Sequence, residues 1–262
     1  MKKKLNVFFV LVLLFVATFL FSSCDKKKIL SMEEAESYLP NLSPMFEAGL
    51  ISVDYFDNYD TEIHLKELKE VPFEVAQILA DSCVTIIITP NPLSVSIPMY
   101  SYLGISEEMV SCHGWGKFDS SLTKFEENSI ETLDNWGLFV FDTNNPVIVL
   151  GQIKIVVDDE LLESGSPSPT LYLIAYAYDL VMGVSASKEF SELYECCDQN
   201  NILYKAETYE NDINGAERAK RVYFADSFVF ALLEPNKNDE NVNNLMADLF
   251  VDANKYAAIA SK

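Results

Sequence analysis

Three rhythms of apolar and polar residues run along this chain. The first is a continuous β-branched run, Val84-Thr85-Ile86-Ile87-Ile88-Thr89, which predicts a strand buried on both faces. Pro90 and Pro92 close it in a turn. The second rhythm is alternation. It predicts strands over 137–142 and 147–157, joined as a hairpin through the turn residues Asn144-Asn145-Pro146. Shorter strands are expected at 49–54, 93–97, 202–209 and 222–233, the last alternating around Asp226-Ser227. The third rhythm is helical. Val242, Leu245, Met246, Leu249, Ala253, Tyr256 and Ala257 form one stripe after a polar turn at 235–239, which predicts an amphipathic C-terminal helix.

Caps mark two further helices. Ser31 followed three residues later by Glu34 is a capping box, and the helix it opens stops before Pro40. Ser187 caps a helix that runs to Asp198, with Phe190, Leu193, Tyr194 and Cys197 on one face. Pro72 divides 62–80 into a strand or loop and then a helix over 73–81. A brief helical turn is expected from Ser106 to Met109, and Cys112-His113-Gly114-Trp115-Gly116 reads as a glycine-flanked loop. Residues 170–181 fit both periods. As a strand they place Tyr172, Ile174, Tyr176 and Tyr178 on one face; as a helix they align Leu171, Ile174, Ala175 and Tyr178. Tyrosine and isoleucine favour the strand.

Strands and helices mix without strict alternation, and no internal repeat stands out. The expectation is an α+β fold. It is one globular domain over 31–262, with a mixed or antiparallel sheet, peripheral helices and the amphipathic C-terminal helix. Ser164-Gly165-Ser166-Pro167-Ser168-Pro169 is the clearest loop, and 164–169 is the place for any sub-domain boundary.

The N-terminus has a different pattern. Lys2, Lys3 and Lys4 precede an almost wholly apolar run over 5–21, and Ser22-Ser23-Cys24 follows at once. A charged start, an apolar stretch and a small-residue site make a signal peptide. With the cysteine placed just after the small residues, the segment resembles the leader of bacterial lipoproteins, although Phe21 stands where leucine is usual. The resemblance implies cleavage after Ser23 and a diacylglyceryl thioether on Cys24, which becomes the new N-terminus. Residues 1–23 are then a lipoprotein signal peptide and 24–30 the lipidated cysteine and its tether. The resemblance covers the leader alone and implies no fold for the rest. An uncleaved transmembrane helix or an ordinary secretory leader are the alternatives. Each exports the chain, to the periplasm or the cell exterior, with the three lysines left inside.

Charge narrows the partners. The chain holds 19 basic and 40 acidic residues, a net charge of −21. Cleavage removes the three leader lysines and no acid, so the mature chain carries −24. Such a surface repels nucleic acid phosphates, which bind through Lys and Arg. Lys26, Lys27 and Lys28 beside the anchor are the exception, and either contact anionic headgroups or act as a soluble spacer. Apolar residues make up 49% of the chain and aromatics 12%, enough to fill a sizeable core and to argue against disorder.

Candidate chemistry is sparse. His64 and His113 are the two histidines, and no G-x-S-x-G, H-E-x-x-H, Walker or G-x-G-x-x-G motif occurs. Cys112-His113 are neighbours, and in an extended segment they point to opposite sides, which suits neither a nucleophile–base pair nor a zinc site. Cys83, Cys112, Cys196 and Cys197 allow three full disulfide pairings. Cys197 reads as a small buried hydrophobe. Asp54, Asp57 and Asp60, and Asp158, Asp159 and Glu160, are dense enough for a carboxylate pair but equally suit solvated turns. The segment 210–215 resembles the front half of an EF-hand loop, but Arg221 stands where the closing acid belongs, which rules out a full site. No catalytic residue, metal ligand or cofactor is assigned. Trp115 and the tyrosines Tyr172, Tyr176 and Tyr178 are the candidate ligand contacts. The expected role is a membrane-anchored envelope module that binds a protein, peptide or carbohydrate. The alternative is an envelope hydrolase using carboxylates, with or without a divalent cation.

Overall fold

The computed structural model describes residues 31–53, 62–89, 111–115, 138–142, 146–150, 167–197, 204–206 and 215–252, with the backbone alone for 62–63, 111–115, 138–142 and 169. All lie within one compact unit, Ser31–Lys262. The leader with Cys24, the 93–97 strand, the Ser106 turn, both acidic clusters and the 210–214 loop fall outside the described residues.

Five strands form one sheet: β1 (Ile51–Val53), β2 (Thr85–Ile88), β3 (Ser111–Trp115), β4 (Leu138–Asp142) and β5 (Val147–Leu150). Their order is β1-β2-β5-β4-β3. β1 runs parallel to β2, and β2 parallel to β5, with Ile86 opposite Ile148 and Ile88 opposite Leu150. β4 pairs antiparallel with β5, and β3 antiparallel with β4. A purely antiparallel sheet is therefore excluded. The hairpin between β4 and β5 forms as its turn residues predict. The Cys112–Trp115 stretch is a strand, not the loop expected: a neighbouring strand supplies pairing that weak local propensity does not. Ile86, Ile87, Ile88 and all four β5 residues are buried, so both faces of this part of the sheet are covered.

The helices are α1 (Met32–Tyr38), α2 (Ser43–Glu47), α3 (Glu62–Leu68), α4 (Phe73–Asp81), α5 (Pro169–Met182), α6 (Lys188–Glu195), α7 (Gly215–Leu233) and α8 (Glu240–Val251). Ser31 Oγ accepts from the Glu34 amide, and Ser187 Oγ from the Phe190 amide, as the caps predict. α3 and α4 lie in the crossover from β1 to β2, and the first of them corrects the strand or loop expected before Pro72. α8 buries Val242, Leu245, Met246 and Leu249, while Ala253, Tyr256 and Ala257 of the expected stripe lie outside the described residues. Residues 204–206 are not strand.

The largest corrections are α5 and α7, both expected as strands. Ser168 Oγ accepts from the Leu171 amide 3.1 Å away, and Pro169 occupies the first turn. Gly183 closes α5 in the left-handed region at φ 63, where a side chain would be strained. Between these caps every residue from Leu171 to Asp179 is buried. α5 lies against β4 and β5 on one side and α7 on another, with α3 and α4 also in contact. It is a central helix, not a peripheral one. Burial all round removes the polar stripe that marks a helix in sequence. α7 shows the same thing: Phe224 to Val229 are six buried residues in succession.

Candidate functional site

Two buried acids lie on the α5–α7 pair, and each has a different environment. Asp179 sits in the last turn of α5 with its side chain fully buried. Its Oδ1 accepts from the Ser185 amide at 2.6 Å, and its Oδ2 from Ser185 Oγ at 2.5 Å and from Arg221 Nε of α7 at 3.0 Å. The αL turn at Gly183 brings Ser185 back toward Asp179. Arg221 also lies over the Tyr176 ring, 5.5 Å from its centroid. Burial works against the guanidinium charge, but Tyr176 and Asp179 outweigh it and hold Arg221 above its ordinary value. Arg221 keeps 21% of its side chain exposed. The result is a charge-assisted brace between two helices.

Asp226 lies further along α7 and is 1% exposed. Tyr204 Oη donates to Asp226 Oδ2 at 2.9 Å, while Oδ1 is buried without a hydrogen-bond partner. Burial pushes the carboxyl up to about 7, and the Tyr204 hydrogen bond offsets only part of that. Around it Tyr204 packs edge-on to Tyr223 at 5.0 Å, and Tyr223 also meets Tyr194 and Phe190. Tyr194 Oη donates to the Tyr204 carbonyl oxygen. Burial, with Cys197 nearby, raises the Tyr223 phenol to about 12.

The tyrosines expected as a row do not form one, because that row belonged to a strand. Tyr172 and Tyr176 are one helical turn apart and stack on each other at 6.3 Å. Tyr178 turns away and stacks on Phe224. Tyr172, Tyr176 and Tyr178 are 2%, 6% and 0% exposed. Trp115 ends β3, the strand at one edge of the sheet. Cys112 and His113 share that strand. His64 is buried and shares a 2.9 Å hydrogen bond between Nδ1 and Thr170 Oγ1, joining α3 to the start of α5. Cys83 and Cys196 are exposed thiols, while Cys197 is half-buried and not sealed in the core. Arg221, noted in sequence only as the wrong residue to close a calcium loop, is a partner of Asp179.

Asp179, Asp226 and Tyr204 were not singled out as site residues in the sequence. The available signal was an acid inside each of two apolar runs, at 179 and at 226. A buried acid needs a partner or a proton, and these two take one each. Among the described residues no group of three or more His, Cys, Asp and Glu side chains gathers to hold a metal ion. Among them, too, no helix is long and apolar enough to cross a membrane.

No protein-family model matches the chain, and no curated protein matches it. Among solved structures it is similar to the PRO-PRO endopeptidase PPEP-2 from Paenibacillus alvei, with a TM-score of 0.47 and 17% sequence identity. That similarity covers 80% of this chain and 99% of the other.

Proposed function

We propose that this chain is a lipid-anchored lipoprotein of the cell envelope, whose residues 31–262 form one α+β domain that binds a protein, peptide or carbohydrate without catalysis. One observation carries the anchor: Lys2, Lys3 and Lys4, the apolar run over 5–21, and Ser22-Ser23-Cys24 stand in the order that lipoprotein processing requires. A non-catalytic role fits the way Asp179 is used. Its carboxylate is taken up by Ser185 and Arg221, and so braces two helices. Of the candidate ligand contacts, Trp115 suits the role best, because it ends an edge strand. A strand edge is also where an extended peptide can add.

The anchor is tested by mass spectrometry of the protein purified from membranes. The expected product begins at Cys24 and carries the mass of a diacylglyceryl thioether. Cys24→Ala is expected to abolish that mass and leave the leader uncleaved. An unmodified Cys24 thiol, or an intact Met1 in a cytosolic fraction, would overturn the proposal.

A further inference from the structure

We propose that Cys196 and Cys197, the adjacent thiols at the end of α6, form a bidentate site for one copper(I) ion. Cys196 closes α6 and is exposed, and Cys197 follows it half-buried. Their backbones are fixed. The Cys196 N–H donates to the Leu193 carbonyl oxygen and the Cys197 N–H to the Tyr194 carbonyl oxygen, each at 3.1 Å. The end of α6 is itself pinned to α7, where Tyr223 meets Phe190 at 5.7 Å and Tyr194 at 5.8 Å. After burial, Cys197 is the largest influence that raises the Tyr223 phenol, and Cys196 acts in the same direction. Both sulfurs therefore lie within electrostatic reach of one ring, at a firmly held helix end.

Two chemistries are open to neighbouring thiols, and geometry separates them. A disulfide spans Cα atoms roughly 4.4–6.8 Å apart, whereas consecutive Cα atoms stand about 3.8 Å apart across a trans peptide. Joining these two sulfurs therefore distorts the backbone that the pair of 3.1 Å hydrogen bonds holds. An ion asks for less. A thiolate–metal bond runs to about 2.3 Å for zinc, so an ion set between the sulfurs leaves them well apart and the backbone in place.

Thiolates select soft cations, chiefly zinc, iron–sulfur clusters and copper(I). Zinc and iron–sulfur centres are held by four ligands. Among the described residues no group of three or more His, Cys, Asp and Glu side chains gathers. Copper(I) is satisfied by a pair of sulfurs. On binding, two sulfur–copper bonds form, two thiol protons pass to solvent, and nothing is oxidised or reduced. The net charge of −21 favours the arrival of a cation.

The test is a titration of the full chain, reduced and kept anaerobic in detergent micelles, with copper(I) supplied as its complex with the chromogenic chelator bicinchoninic acid. One ion per chain is expected to leave the chelator. Cys196→Ser and Cys197→Ser should each weaken binding by more than the roughly 100-fold that loss of a mere supporting group can cost. Cys83→Ser, at an exposed thiol elsewhere in the chain, should leave binding unchanged. Excess calcium should not compete, because it seeks oxygen ligands. Should Cys197→Ser not fold, X-ray absorption at the copper edge supplies the answer: a sulfur-only shell in the wild type, which loses a sulfur in Cys196→Ser. No transfer from the chelator, transfer that survives loss of either cysteine, loss of binding in Cys83→Ser, displacement by calcium, or oxygen and nitrogen neighbours at the copper would overturn the site.

Discussion

The parallel half of the sheet and the interface of the α5–α7 helix pair are both buried, yet different interactions hold them. In β2 and β5 the residues are almost all Ile, Val and Leu, and any well-fitting apolar neighbour serves. In the helix pair the interior includes Tyr178, Asp179, Asp226 and Ser227, and particular partners are required: Ser185 and Arg221 for one acid, Tyr204 for the other. The sheet is specified by residue type, the helix pair by pairings. A paired interior is sensitive to pH as well as to substitution, while an apolar one responds to lost volume alone.

The largest expected break is at Asp179. Asp179→Ala strands Arg221 and removes the acceptor of both the Ser185 amide and its hydroxyl. It should cost about 3–5 kcal/mol in denaturant unfolding. A loss below that of an ordinary surface substitution would mean that Arg221 simply swings into water.

A smaller effect separates the two regions by pH. The folded chain keeps the Asp226 proton to about pH 7, whereas the unfolded chain releases it near 3.8. Between those values the folded state binds more protons, so stability falls as pH rises and is level above about 7. The fall should be about 1–3 kcal/mol, limited by the Tyr204 hydrogen bond and by water reaching the ionised acid past half-buried Tyr204. Asp226→Asn should lack this slope, so that the wild-type minus variant difference displays it. A slope unchanged in the variant would assign it to other groups.

The smallest effect belongs to the sheet. Ile87→Val deletes one buried methylene and should cost about 0.5–1.5 kcal/mol, with no change between pH 5 and pH 8. A pH-dependent cost would show that the sheet and the helix pair are not separable in this way.

The same difference explains what the sequence reveals. The 84–89 run, the 137–150 hairpin and the Ser31 and Ser187 caps all announce themselves through local chemistry. α5 and the Phe224–Val229 stretch of α7 do not, because a helical segment buried on every side loses the polar stripe that betrays its period. Reading 170–181 as a strand gave its alternating tyrosines a shared face that the helix does not have. The Ser168 and Pro169 start and the Gly183 stop are helix punctuation in the sequence, and in the fold they outweigh the β preference of Tyr and Ile. The Asp179 brace was out of reach for another reason. It joins residues 42 positions apart, and that proximity exists only once two helices have packed.

The parallel pairing of β2 with β5 also sets the order in which the chain can be finished. Thr85 meets Val147, so the tri-isoleucine strand is made roughly 60 residues before its second neighbour arrives. Until then a greasy, unpaired edge waits in the growing chain. A nascent polypeptide stalled anywhere in that interval is a substrate for holdase chaperones and a seed for aggregation.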